Sequence, residues 1–141
     1  MQFIKVWIMA LALVMTPMIA SAGKLVAKVD VSQQIMTVIY NGKVAYRWDV
    51  STARKGKITP RGTYTAKWLS KNHKSSLYND APMPHAIFYS GHYAIHGTNQ
   101  ISRLGRPASA GCVRLHPKHA ATLFRLVQKV GLRNMKVQIR N

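Results

Sequence analysis

The sequence predicts a mainly β domain with one α-helix packed near its C-terminus. Short segments that are rich in β-branched residues, or that alternate between apolar and polar residues, recur along most of the chain. One Asn-Gly pair separates two of these segments, as in a β-hairpin. Apolar residues recur with clear helical spacing in one late segment. The length of 141 residues fits one ordinary domain.

The first three strands are predicted around a tight turn at Asn41 and Gly42. Residues 24–31 nearly alternate between apolar and polar side chains, and residues 35–40 are rich in β-branched ones. The Asn-Gly pair suits a type I′ turn, because both central residues of that turn need a positive φ. We therefore expect the segment that ends at Tyr40 to pair antiparallel with residues 43–50.

The middle of the chain is predicted to contain two long loops around one strand. Residues 51–62 lack apolar periodicity and carry two glycines and a proline, which indicates a loop. Strand character returns at residues 63–69. Residues 70–84 are polar and contain Pro82 and Pro84, so we expect a long excursion over the surface, of the kind that often forms a binding lid.

Two short strands and one helix complete the predicted domain. Residues 86–89 and 92–95 are strand candidates joined at Ser90-Gly91, and residues 97–111 are mostly loop. Pro117 suits a first helical position, and Gly131 suits the residue after a helix. Between them lies an apolar face, and a last strand follows at residues 135–139. The predicted face consists of Ala121, Leu123, Phe124, Val127 and Val130.

Residues 1–22 have the pattern of a secretory signal peptide. Lys5 supplies a positive start, residues 6–19 form an apolar run, and Ala20-Ser21-Ala22 resembles a cleavage site. We expect the mature domain to comprise residues 23–141, exported across the cytoplasmic membrane into the periplasm or cell envelope, with no stable membrane span after cleavage. The alternative is a retained membrane anchor, although the apolar run is shorter than the roughly 20 residues that a spanning helix needs.

The net charge of +18, from 21 Lys and Arg against three acids, predicts contact with polyanions. Such a charge often indicates nucleic acid. An exported protein does not meet nucleic acid, so we expect none as a partner, and we expect anionic envelope polymers instead. The basic residues are scattered through the sequence, which favours solvated faces over a dedicated groove. We expect a monomer.

Cys112 is the only cysteine, so the chain has no intramolecular disulfide in a compartment where disulfides form. A lone cysteine is commonly a small buried hydrophobe, but a thiol next to a base is a nucleophile. His96 is the candidate base, sixteen residues earlier. Gly97 and Gly111 flank the two residues, and glycine beside a nucleophile lets a substrate approach backbone N–H groups. We expect the Cys112 amide to donate to an oxyanion.

Paired motifs around these two residues resemble the signature of the L,D-transpeptidase family, the YkuD domain. The first motif is Ile95-His96-Gly97-Thr98, and the second is Ser109-Ala110-Gly111-Cys112-Val113-Arg114-Leu115. Further similarity upstream extends the resemblance to roughly residues 24–141. It lies in Ser51-Thr52, Thr59-Pro60-Arg61-Gly62-Thr63-Tyr64 and Ala81-Pro82-Met83-Pro84.

The resemblance implies a compact, β-sandwich-like catalytic domain that acts on the stem peptides of peptidoglycan. Cys112 would attack the carbonyl of the third stem residue, form a thioester and release D-alanine, with His96 as the base. Transfer of the acyl group to an amine would give a 3→3 crosslink. Carbapenem-type β-lactams would acylate the same thiol. The chain departs from the family at Ala110, where many members have histidine.

The resemblance also implies supporting roles for Ser109, which would form hydrogen bonds within the site, and for Arg114, which would pair with a substrate carboxylate. It implies no cofactor. We expect no metal site, because the spacing of the histidines near Cys112 fits no zinc finger. Alternatives remain: hydrolysis of the same thioester, anchoring of a lipoprotein lysine, a non-catalytic cationic binder of wall polymers, or a nucleic-acid module.

Overall fold

The computed structural model describes residues 23–141, and the predicted signal peptide lies outside them. Within this range the chain forms two β-sheets and one α-helix, which confirms the predicted mainly β domain with a helix near the C-terminus. The elements are β1 (Leu25–Asp30), β2 (Ile35–Tyr40), β3 (Lys43–Asp49), β4 (Gly62–Thr65), β5 (Trp68–Lys74), β6 (Pro82–Ser90), β7 (Tyr93–Gly97), β8 (Val113–Leu115), α1 (Pro117–Val130) and β9 (Met135–Arg140).

The larger sheet has five strands in the order β3-β2-β1-β9-β4. β1 runs antiparallel to β2 and parallel to β9. The alternation predicted for β1 is confirmed, because every second side chain from Leu25 to Val29 is buried. The hairpin is also confirmed: Asn41 and Gly42 have φ of 50° and 79°, the two positive values that a type I′ turn requires.

The smaller sheet has four strands in the order β5-β6-β7-β8, and its last pair is parallel. The strand predicted at residues 63–69 is in fact divided between the two sheets. The Ala66 N–H donates to the Met135 carbonyl at 3.0 Å in the larger sheet, and the Lys67 N–H donates to the Phe88 carbonyl at 2.8 Å in the smaller one. The chain therefore crosses from one sheet to the other between these two residues.

The long surface excursion predicted at residues 70–84 is wrong. β5 continues to Lys74 and pairs with β6, so that only residues 75–81 form a loop. The two prolines that suggested a loop lie in the first part of β6. β7 pairs with β6 only from Ile87 to Ser90, so Pro82 and Pro84 lie where β6 has a partner on one side. A strand tolerates proline there because the missing N–H breaks no pairing on the free side.

Helix α1 packs against β6 and β7 and so supports the strand that carries His96. The predicted start at Pro117 and the end at Gly131, whose φ is 87°, are confirmed. The predicted apolar face is wrong at one position, since Ala120 is buried and Ala121 is not. Ala120 lies three residues before Leu123, on the same side of the helix.

The main hydrophobic core includes buried side chains from the five-stranded sheet, from α1 and from β6, β7 and β8. A second, smaller cluster lies in the four-stranded sheet, where Met83, Ala86, Phe88 and Ala94 pack together and Cys112 packs against them. No helix within residues 23–141 is long and apolar enough to cross a membrane.

Candidate active site

Cys112 and His96 line the same cavity, whose volume is about 530 Å³. His96 lies on β7, and Cys112 lies immediately before β8, which pairs with β7 in parallel. The register pairs Ile95 with Val113, so the residue that precedes β8 lies beside β7. The loop between the strands thus folds back and brings together two residues that are sixteen positions apart in the sequence.

The His96 side chain is buried, with 6% of its surface exposed. Its Nδ1 lies 2.7 Å from the Gly97 carbonyl oxygen, which can only accept a hydrogen bond. Nδ1 therefore carries the proton, and Nε2 has a free lone pair. Burial lowers the pKa of His96 to about 4, although the bond to Gly97 opposes this shift. At neutral pH His96 is an uncharged base.

Burial also raises the pKa of the Cys112 thiol above its ordinary value. A hydrogen bond from the Ala94 N–H and the positive charge of Arg114 act in the opposite direction. The thiol itself points toward the His92 carbonyl oxygen, at 3.7 Å from Sγ. The sequence analysis required a neighbour that lowers the thiol pKa, but burial outweighs these neighbours. The resting pair is a neutral thiol and a neutral imidazole.

The turn before Cys112 needs glycine at position 111. Gly111 has a φ of 143°, which side chains rarely adopt. A Cβ atom there would lie 2.7 Å from Cε1 of Tyr93 and 2.9 Å from the carbonyl oxygen of Ile58. Ser109 spans the turn: its Oγ donates to the Cys112 carbonyl at 2.6 Å and accepts from the Gly111 N–H at 3.0 Å.

Thr59 holds the same turn from the other side. Its side chain is buried, and its Oγ1 donates to the Gly111 carbonyl at 2.8 Å and accepts from the Ala53 N–H at 3.0 Å. In a trans peptide the C=O and N–H groups point in opposite directions. By fixing the Gly111 carbonyl, Thr59 therefore also fixes the direction of the Cys112 N–H. The sequence analysis assigned Thr59 to a turn and gave it no part in the site.

A second set of bonds ties residues 51–54 to the loop that precedes Cys112. The Thr52 carbonyl accepts from the N–H groups of Ala108 and Ser109, both at 2.9 Å, and the Arg54 N–H donates to the Ser109 carbonyl at 2.9 Å. Beneath them the buried Gln34 donates from Nε2 to Oγ1 of Thr52 at 2.6 Å. Two loops that are distant in sequence thus hold the segment around Cys112 in one conformation.

One end of the cavity is aromatic and apolar. Trp68 stacks on Phe88 with ring centroids 3.8 Å apart and an angle of 2° between the planes, and His73 meets Phe88 edge-on at 4.8 Å. Leu77 and Tyr78, in the loop between β5 and β6, are exposed beside them and also line the cavity. This end lies at the β5 edge of the four-stranded sheet.

The other end of the cavity lies at the β8 edge and is cationic. Arg54 and Arg114 line the cavity there, and Nη1 of Arg114 donates to Oε1 of Gln100 at 3.0 Å. Burial lowers the pKa of Arg114, and the charges of Arg103 and Arg54 lower it further. Among residues 23–141 no aspartate or glutamate lines the cavity.

The remaining predicted site residues divide into two groups. Ser109 and Arg114 line the cavity with Cys112 and His96, whereas Gly97 and Gly111 act through the backbone, Gly97 as the acceptor for His96. In the part of the chain that the structure describes, no three His, Cys, Asp or Glu side chains are grouped to hold a metal ion. His119 instead stacks on the Trp48 ring, at 4.7 Å between centroids.

A family model described as the YkuD L,D-transpeptidase catalytic domain matches residues 24–139. The Bacillus subtilis protein YqjB, which carries an L,D-transpeptidase name, is 28% identical over 105 residues, or 65% of this chain and 60% of YqjB. An L,D-transpeptidase structure from Xylanimonas cellulosilytica is 25% identical with a TM-score of 0.70, and the match covers 88% of this chain and 64% of that one.

A second solved structure, L,D-transpeptidase 3 from Mycobacterium tuberculosis with a faropenem-derived adduct, has the same fold. Its TM-score is 0.73 at 18% identity, over 84% of this chain and 61% of that one. The chain therefore spans less than two thirds of the length of each of these relatives. The family match, in contrast, covers nearly all the residues that the structure describes. The chain belongs to the YkuD family of L,D-transpeptidase catalytic domains.

Proposed function

We propose that the chain is a peptidoglycan L,D-transpeptidase in which Cys112 is the nucleophile and His96 the base. Cys112 forms a thioester with the third residue of a donor stem peptide and releases D-alanine, and an acceptor amine then takes the acyl group to form a 3→3 crosslink. The observation that carries this proposal is the presence of a neutral imidazole and a thiol in one cavity of about 530 Å³.

His96 is suited to accept the thiol proton as sulfur attacks the donor carbonyl. Because its Nδ1 proton is held by the Gly97 carbonyl at 2.7 Å, Nε2 is the nitrogen that takes up and returns a proton. The proton then passes to the nitrogen of the departing D-alanine. In the second half of the reaction His96 removes a proton from the acceptor amine, which attacks the thioester and restores the Cys112 thiol.

The negative charge that develops on the carbonyl oxygen needs a fixed donor. The Cys112 N–H fills this role in our proposal, because the bonds of Thr59 and Ser109 hold the peptide units on both sides of Cys112. A preorganised N–H stabilises an oxyanion without any rearrangement during the reaction. Ala110 adds no side chain to this step, so His96 acts as the only base of the motif.

The acceptor defines three related activities. An amine of a second stem gives a crosslink, water gives a carboxypeptidase, and a lipoprotein lysine gives an anchoring enzyme. We place the mature chain, residues 23–141, in the periplasm or cell envelope as a monomer, after removal of residues 1–22. A second candidate, a cationic binder of wall polymers, is favoured by the 20 Lys and Arg against three acids in the mature chain.

Intact-protein mass spectrometry tests the proposal directly. The mature wild type and Cys112→Ala are each incubated with a disaccharide tetrapeptide, and with imipenem as a β-lactam probe. We expect an adduct in the wild type alone, together with a crosslinked dimer. Tripeptide without dimer would identify a carboxypeptidase. Equal behaviour of wild type and Cys112→Ala would refute the nucleophile, and salt-sensitive binding of wall polymer by both would favour the cationic binder.

The role of His96 is tested by His96→Gln, with His92→Gln as the matched control. His92 lines the same cavity, but its ring makes no part of the proposed reaction. We expect His96→Gln to lower the rate of imipenem acylation at least a hundredfold, in line with the usual contribution of general bases, which is about 10² to 10⁴. Equal rates in the two variants would assign the base elsewhere.

A further inference from the structure

The cationic end of the cavity has no counterion within the protein. Asp30 accepts hydrogen bonds from the Ser32 hydroxyl at 2.6 Å and from the Gln33 N–H at 3.0 Å in its own turn. Asp49 ends β3, and Asp80 lies in the loop between β5 and β6. These are all the acids in the chain, and none of them lines the cavity.

Arg114 lies close to Cys112 and is only partly solvated. It occupies the centre of β8, and one of its N–H groups bonds to the neutral amide of Gln100 at 3.0 Å. A guanidinium has five N–H donors in a fixed fork. A charge withdrawn from water in this way is costly unless an anion reaches it. Neighbouring positive charges from Arg54 and Arg103 increase that cost.

Arg54 is placed beside Arg114 by the backbone. Its N–H bonds to the Ser109 carbonyl, three residues before Cys112, and its side chain lines the cavity. Lys57 follows after a turn at Gly56, whose φ is 84°, and lines a different cavity of about 290 Å³. One short basic segment therefore sends Arg54 to the candidate site and Lys57 away from it.

We propose that Arg54 and Arg114 form a carboxylate-binding subsite beside Cys112, which recognises a free carboxylate of the peptide donor. This inference rests on the proposed function and adds a substrate requirement to it. Two guanidinium forks match a carboxylate through paired N–H···O bonds. The opposite end of the cavity, at Trp68 and Phe88, offers rings and no cation, so a donor with a free carboxylate can bind in one direction.

A stem-peptide donor offers two suitable carboxylates near the bond that is cut. One belongs to the departing D-alanine, and the other belongs to the side chain of the third residue when that residue is diaminopimelate. Both have the same chemistry, and amidation removes either one selectively. Recognition of the first would restrict the enzyme to the last peptide bond of the stem, whereas recognition of the second would select the third residue.

The test compares wild type, Arg54→Gln and Lys57→Gln on three donors: the disaccharide tetrapeptide, its C-terminal amide and its side-chain amide. Arg54 is exposed, so its replacement does not disturb the core. We expect amidation of one carboxylate to lower kcat/KM for acylation of the wild type roughly ten- to hundredfold, as for a bond to a charged group. Arg54→Gln should lose most of this discrimination, and Lys57→Gln should retain it. Equal losses on all three donors would overturn the proposal.

Binding of the same donors to Cys112→Ala, measured by calorimetry with and without Arg54→Gln, does not depend on turnover. A carboxylate preference that disappears with Arg54→Gln would support the subsite even if no donor acylated the wild type, which would instead refute the proposed reaction. Equal affinity for free and amidated donors would refute the subsite. Competition by inorganic phosphate, with no preference among the donors, would assign the arginines to phosphate and overturn the carboxylate assignment.

Discussion

The two sheets of the molecule divide the work of folding and of binding. In the five-stranded sheet β1 pairs with β2 and with β9 over six residues each, without interruption. In the four-stranded sheet β6 contains two prolines and a register shift between Phe88 and Ser90, and His85 has a φ of 52°. The candidate site lies entirely on the irregular sheet and its loops. Regular pairing builds the scaffold, and departures from it shape the cavity.

The largest effect we expect separates the two sheets by a matched pair of substitutions. Ile139→Ala in β9 and Ile95→Ala in β7 remove the same atoms from fully buried positions, 1% and 0% exposed. Each should lower the free energy of unfolding by about 4 kcal/mol. Only Ile95→Ala should also slow imipenem acylation, because Ile95 pairs with Val113 beside Cys112.

Urea unfolding and the acylation rate, both measured well below the melting temperature, provide the comparison. A normal rate in Ile95→Ala, or an equally reduced rate in Ile139→Ala, would show that the two sheets do not divide their roles in this way.

The second effect concerns the pH dependence of stability that His96 gives to the irregular sheet. Its pKa is about 4 in the folded chain and 6.5 in the unfolded one, so the unfolded chain binds the proton first as pH falls. The contribution is fully present above pH 6.5 and is lost between pH 6.5 and about 4. From these two values it is on the order of 3 kcal/mol.

Urea unfolding of wild type and His96→Gln at several pH values measures this contribution as a difference, in which the other histidines cancel. Parallel stability curves for the two proteins across that window would contradict the lowered pKa.

The smallest effect we expect concerns Thr59, which connects the two loops around the site. Thr59→Val keeps the shape of the side chain but leaves the Gly111 carbonyl and the Ala53 N–H without their partner. The lost orientation of the Cys112 N–H should reduce imipenem acylation roughly tenfold, equivalent to about 1.4 kcal/mol. Thr59→Ser should restore most of the rate. Loss of stability with an unchanged rate would give Thr59 a purely structural role.

The same division explains what could be predicted from the sequence. β1, β2 and β3 were placed closely because alternation and an Asn-Gly turn are local signals. In the irregular sheet the prolines of β6 were interpreted as loop residues, since their tolerance depends on the absence of β7 as a partner at that point. β8 has three residues, too few for any periodicity to be recognised.

The candidate site was predictable to the extent that it is written in adjacent residues. The motifs around His96 and Cys112 identified the pair that the cavity brings together. Thr59 and Arg54 act across distances of 52 and 55 positions, on Gly111 and Ser109, and no local pattern reports such contacts. The burial that raises the Cys112 pKa was hidden from the sequence for the same reason.

Enclosure of the Cys112 thiol also governs how long the protein stays chemically intact. Peroxides and small disulfides react with the thiolate far more readily than with the thiol. Because burial raises the Cys112 pKa, the resting thiol is protonated and a poor target for these reagents. A chain with a single cysteine has no second thiol of its own to rescue a sulfenic acid. The environment that makes the sulfur depend on a base thus preserves it between turnovers against irreversible oxidation.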